Sequence, residues 1–140
     1  DLEKSHMFGA TITKVLTASE GDNIVVWGDG KTERDLLYVD DVVDFIQLAI
    51  NNQTKKYDLF NVGMGKSYSV RDIVEKIIKY SGKNLSISHD ISKPSINTKL
   101  ALNSHKAYTE FGWKPKYDLD AGIKKTIEWY NTNIKIKGEK

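Results

Sequence analysis

Arg34-Asp35-Leu36-Leu37-Tyr38-Val39 runs directly into Asp40-Asp41-Val42-Val43-Asp44-Phe45-Ile46-Gln47-Leu48-Ala49-Ile50, and the fold class is decided at that junction. The first six residues read as an extended stretch. From Asp40 onward the apolar positions follow a helical period and cover most of the circumference. A helix so apolar is expected to be wedged between layers rather than laid on a surface. Asp40 and Asp41 resemble a catalytic carboxylate pair. Acids at the start of an apolar helix more often cap free N–H groups or complement the helix dipole, so a structural role is expected for both.

The same alternation of extended and helical stretches continues on both sides. Upstream, Met7, Ile12, Val15 and Leu16 mark a helix over 7–19, broken by Gly21-Asp22-Asn23. Ile24-Val25-Val26-Trp27 is a short β-branched run closed by Gly28-Asp29-Gly30, a strand and a tight turn. Downstream, 57–62 reads as a buried strand ending in Gly63-Met64-Gly65, a turn into a helix. Ser69 and Asp72 make a capping box before Val70, Ile73, Val74, Ile77 and Ile78, and Gly82 stops that helix. Leu85 to Ser88 alternates like a half-buried strand, and 89–100, with Pro94, has no period and reads as a loop. Asn103 or Ser104 caps a short helix ending at Gly112, and Asp118 opens a last helix through Trp129 and Tyr130. Helices and strands with short connections predict an α/β (α+β layered) fold, one domain over 1–140 with 136–140 a frayed tail.

Composition narrows the partners. With 39% apolar and 29% charged residues the chain can bury a core, unlike disordered chains. No apolar run reaches the roughly 20 residues of a membrane span, and no signal-peptide pattern is present. Cysteine is absent, which excludes a disulfide framework and thiolate metal sites and fits a cytoplasmic location. His89 and His105 have no ligand-type neighbours at metal spacing, so no metal is expected. Net charge is +2, with basic residues concentrated at Lys135, Lys137 and Lys140. No basic face with interleaved aromatics marks a nucleic-acid binder. The chain opens Asp1-Leu2-Glu3 without Met, and Ser5-His6-Met7 has the look of a cleaved tag.

Three ordered segments carry a resemblance. They are Val26-Trp27-Gly28-Asp29-Gly30 with Arg34 to Val42, Phe60-Asn61-Val62-Gly63-Met64-Gly65, and Phe111-Gly112-Trp113-Lys114-Pro115 with the closing helix. Together they resemble the C-terminal, substrate-binding part of the extended short-chain dehydrogenase/reductases, the NAD-dependent epimerase/dehydratase family acting on sugar nucleotides. The start of the chain and Ser92-Lys93-Pro94 are most similar to the GDP-fucose synthase branch, and favour residues 5–7 being native. That branch has an arginine after Pro94, where this chain has Thr98 and Lys99, so the sugar and the base stay open. The resemblance implies a nucleotide-sugar substrate, NAD or NADP in a longer parent enzyme, and a cofactor domain preceding this chain.

No cofactor is expected on these residues themselves, since the main Rossmann half is missing. Its Gly-rich fingerprint is longer than Gly28-Asp29-Gly30 or Gly63-Met64-Gly65, and no tyrosine here has Lys four positions on. Lys66-Ser67 follows its glycines too soon for a P-loop.

Arg34 is the leading site residue, because a planar guanidinium can clamp a diphosphate through two parallel hydrogen bonds. The plainer reading is an ion pair with Glu33 or Asp35. Trp27, beside a glycine turn, either lines the nucleotide pocket or is simply buried. By resemblance Lys14 and Lys93 add positive charge around the phosphates, and His6 aligns with a histidine assisting proton transfer. The alternative from another class is a non-catalytic interaction or regulatory domain derived from the same fold. If a missing half normally covers the helix at 41–52, its apolar face should drive self-association, a homodimer included.

Overall fold

The computed structural model describes residues 6–93 and 98–134. Ser5, Pro94, the basic tail and the segment 136–140, expected to fray, lie outside the described residues. Those described fall into two compact units, one of residues 6–32, 69–93 and 123–134 and the other of 33–68 and 98–122.

In the first unit, α1 (Met7–Thr17) precedes β1 (Asn23–Trp27), and α3 (Val70–Ser81) precedes β4 (Ser86–Asp90). β1 and β4 form a two-stranded parallel sheet, with Asn23 opposite Ser86 and Trp27 opposite Asp90. Alternation along β1 turns Ile24 and Val26 inward and leaves Asn23, Val25 and Trp27 exposed. The inner residues join Ile12 and Val15 of α1 and Ile73, Val74 and Ile77 of α3 in an aliphatic core, completed by Ile123 and Ile127. The local signals act as expected: the Ser69 hydroxyl caps α3 by accepting from the Asp72 N–H at 3.0 Å, and Gly82 closes it at φ +73°. The C-terminus of α1 is capped from a distance. The Lys83 ammonium donates to the carbonyls of Leu16 and Val15 at 2.7 and 3.1 Å and also to that of Ala18, satisfying acceptors that the helix leaves open.

In the second unit, α2 (Val39–Asn52) and α4 (His105–Phe111) pack on each other. Phe45 sits 5.5 Å from Phe60 and 5.7 Å from Trp113, ring centre to ring centre. The short strands β2 (Glu33–Arg34) and β3 (Tyr68–Ser69) pair with each other, and α5 (Leu119–Asn133) closes the described chain.

Four expectations are corrected here. The extended stretch at 34–39 shrinks to β2, and α2 begins one residue earlier than Asp40, with Tyr38 at its N-cap. Asp41 does not cap. It is fully buried, and its carboxylate accepts the N–H groups of Lys116 at 2.9 Å and Tyr117 at 3.2 Å, while its carbonyl accepts from the Trp113 indole N–H at 3.1 Å. Its role is structural, by a route the sequence does not show. α2 is not enclosed: Val39, Val43, Ile46 and Ile50 are exposed, Ile50 by 76%. Finally, residues 57–62 form no strand. Their side chains still alternate, with Tyr57, Leu59 and Asn61 exposed and Asp58, Phe60 and Val62 half-buried. A strand is defined by hydrogen bonds to a neighbour, and no neighbouring strand is present among the described residues.

Candidate functional site

The first unit brings two of the predicted residues together. β1 ends at Trp27, whose indole is 62% exposed. Gly28 and Gly30 then turn the chain, both at φ +75°. Gly30 is required twice over, since a Cβ there would also lie 2.7 Å from Cε1 of His89. His89 Nδ1 is 3.1 Å from the Gly28 carbonyl, which ties the turn to β4. Opposite Trp27, the N–H of Gly28 donates to the Asp90 carbonyl at 2.9 Å.

The chain turns again beyond β4, where the Lys93 N–H reaches the Asp90 carbonyl at 3.3 Å. Asp90 Oδ1 accepts the Ser92 hydroxyl at 2.6 Å and the Ser92 N–H at 3.1 Å. Those two bonds, hydroxyl first, hold the Asp90 carboxyl below the usual carboxylate range, with the charge of Lys93 adding to them. The Lys93 ammonium lies 5.5 Å from the centre of the Trp27 ring, a cation–π contact. Lys14, in the last turn of α1, lines a concavity of about 440 Å³ with Thr17, Ala18 and residues 22–25. His6 is exposed at the N-cap position of α1, where its side chain makes no capping bond.

Arg34 belongs to the second unit and is half-buried. Its Nη1 donates to the Glu33 carbonyl at 2.9 Å and to the Thr98 hydroxyl at 2.7 Å. The carboxylates that might neutralise it are engaged elsewhere. Glu33 accepts the Ser67 hydroxyl and pairs with Lys99 at 3.3 Å. Asp35 accepts three backbone N–H groups, from Met64 at 2.9 Å, Leu102 at 3.0 Å and Gly65 at 3.1 Å.

That last arrangement bears on cofactor binding. A dinucleotide turn offers free backbone N–H groups to a pyrophosphate. In Gly63-Met64-Gly65 two of them already serve Asp35, and a Cβ on Gly63 would meet Asp35 and Leu102 at 2.8 Å. The glycines accommodate a carboxylate of the same chain. Gly28-Asp29-Gly30 leads to β2 rather than to a helix N-terminus. Neither glycine turn therefore offers the free N–H cradle of a dinucleotide turn. Among the described residues, no three His, Cys, Asp or Glu side chains cluster for a metal ion.

A second concavity, of about 400 Å³, lies between α2 and residues 112–116 and contains none of the predicted site residues. The Lys116 ammonium pairs with Asp44 there, which raises its pKa. Sequence reading gave no site role to Asp35, Asp90 or Thr98. The Asp90-Ile91-Ser92 turn carried a usable signal, since Asp two residues before Ser favours a side-chain-to-backbone turn. The other two contacts span 29 to 67 residues and had none.

Residues 3–126 match the family model described as GDP-mannose 4,6 dehydratase. The GDP-L-colitose synthase of Yersinia pseudotuberculosis is 37% identical over 132 residues, 93% of this chain and 42% of that protein. A probable GDP-L-fucose synthase of Oryza sativa is 31% identical over 94% of this chain and 40% of its own length. Among solved structures, the UDP-glucose 4-epimerase of Thermotoga maritima with UDP-glucose superposes with a TM-score of 0.81 at 26% identity, covering 96% of this chain and 42% of that one. The chain thus spans about two fifths of the length of the curated relatives it matches. No described helix is long and apolar enough to cross a membrane.

Proposed function

We propose, from the premise that the chain belongs to the GDP-mannose 4,6 dehydratase family, that it binds the nucleoside-diphosphate part of a sugar nucleotide within a longer NAD(P)-dependent epimerase, reductase or dehydratase. The observation that carries this reading is the state of Arg34. Its guanidinium is oriented through Nη1 by two uncharged oxygens, while both neighbouring carboxylates are occupied elsewhere. A cation that pairs with no carboxylate among the described residues keeps its attraction for an anion, and its planar fork suits two phosphate oxygens.

In this reading Trp27 and Lys93 line the nucleoside end of the substrate. Lys14 adds positive charge from its concavity, and His6 assists proton transfer at the sugar. Hydride transfer belongs to NAD or NADP, held by residues outside this chain. The exposed stripe of Val39, Val43, Ile46 and Ile50 repeats at helical spacing on one face of α2. With the outward Tyr57 and Leu59 it offers the cofactor-binding part an apolar surface to cover. Titrating a nucleoside-diphosphate sugar into the chain by calorimetry tests the proposal. Arg34→Ala should weaken binding by about 1.5–3 kcal/mol, the range for a charged hydrogen bond. Unchanged affinity would remove Arg34 from the site.

A further inference from the structure

We propose that Asp90 and Lys93 read the Watson–Crick and Hoogsteen edges of a guanine base stacked on Trp27, which makes Asp90 the residue that selects the base; this rests on the nucleotide-binding reading above. The relatives and neighbours carry different nucleotides in their names, GDP in some and UDP in others, so the fold alone does not choose a base.

All three side chains belong to one unit and one corner of it. Trp27 and Asp90 are register partners at the ends of adjacent parallel strands, and paired residues direct their side chains to the same sheet face. The turn that follows β4 brings the Lys93 ammonium over the indole. The result is an exposed aromatic plane with an anionic acceptor and a cationic donor beside it. The indole supplies a stacking surface that any base can use. Discrimination has to come from the flanking groups.

A carboxylate can only accept hydrogen bonds, and an ammonium can only donate them. Guanine matches that polarity: O6 and N7 accept along one edge, where lysine is a common partner. N1–H and the N2 amino group donate along the other, towards a carboxylate. Uracil and thymine present a single N–H between two carbonyl oxygens, so a carboxylate beside them faces acceptors. Adenine offers its amino group next to the N1 acceptor, half of a match. Ser92 occupies Oδ1 of Asp90 through two hydrogen bonds. Among the described residues no hydrogen bond reaches Oδ2, which can receive the base, and the Ser92 bonds favour the ionised carboxylate.

The test is a calorimetric comparison of GDP, IDP and UDP binding to the 140-residue chain and to Asp90→Asn, Asp90→Ala and Ser92→Ala. IDP keeps N1–H and lacks the N2 amino group. GDP should bind at least about tenfold more tightly than UDP, the scale of one charged hydrogen bond, with IDP between them. Both Asp90 variants should lose most of that preference while still binding all three nucleotides. Ser92→Ala should keep it, because the carboxylate remains when the turn bonds are removed. Equal binding of GDP and UDP by the unaltered chain would overturn the proposal and leave the nucleotide reading standing. So would a Ser92→Ala variant as unselective as Asp90→Ala, since Asp90 would then act only by shaping the turn. Binding of none of the three would sink the nucleotide reading itself.

Discussion

The two units are held together by different means. Among its described residues the first buries nine aliphatic side chains, including Val15, Ile73, Ile77 and Ile123. The second buries only Ala107, Trp113 and Leu119 among its described apolar residues and exposes Val39, Val43, Ile46, Ile50, Tyr57 and Leu59. In place of a large interior it uses polar staples. Asp35 gathers three backbone N–H groups, Asp41 gathers two, and Ser104 both accepts from and donates to Gly63. Asp58 ties Lys55, Lys106 and its own following N–H into one knot. Burial is non-directional and tolerates loose loop geometry, whereas a carboxylate aimed at several N–H groups specifies one loop conformation. A unit built in this way can leave its apolar residues outside, available to another surface.

The contrast can be broken by mutation, and the largest effect should come from the aliphatic interior. Ile77→Ala removes a fully buried side chain and should cost about 2–5 kcal/mol. Hydrogen exchange in α1 and α3 during urea denaturation should register the loss. Asp35→Ala should come next, at about 2–3 kcal/mol, because three N–H groups lose their acceptor. Trp113 is the buried one of the three tryptophans, so its blue-shifted emission reports on the second unit. If Asp35→Ala leaves that emission midpoint in urea unmoved, the staple does not hold the unit.

A smaller effect is expected with pH. The Asp58 carboxyl is held well below its ordinary range, first by the Lys106 hydrogen bond, then by Lys55 and the Leu59 N–H. A depressed folded-state pKa contributes stability above the unfolded value, lost as pH falls through the folded one. Asp58→Asn should therefore be less stable than the unaltered chain at neutral pH and converge with it in strong acid. Parallel curves over the whole acid range would contradict that account.

The smallest effect on stability, within about 0.5 kcal/mol, is expected for paired Ile46→Lys and Ile50→Lys changes on the exposed stripe. Their effect should instead be on association. Sedimentation of the unaltered chain at high concentration should show self-association, and the double variant should sediment as a monomer. A monomeric unaltered chain would contradict self-association through the stripe.

The same division explains what the residue order made legible. α1, β1, α3, β4, α4 and α5 rest on local signals, such as the Ser69 cap, the positive-φ glycines at 82 and 112 and the alternation in β1. These lie within a few residues of what they control. The strand expected at 57–62 depends on a neighbour, and only its alternation of exposure survives. Asp41 was expected to serve its own helix, but it serves residues 75 and 76 positions away. At the candidate site, the aromatic, the arginine and the lysines stood out by type. The oxygen that orients Arg34, on Thr98, comes from 64 residues further on.

Lys83 offers a last consequence. Its ammonium donates to three carbonyls at the end of α1, so reaction at that nitrogen requires those bonds to break. Amine-reactive reagents should label the exposed lysines quickly and this one slowly. The lag would time the fraying of one helix end in the native chain, without any probe being added to it.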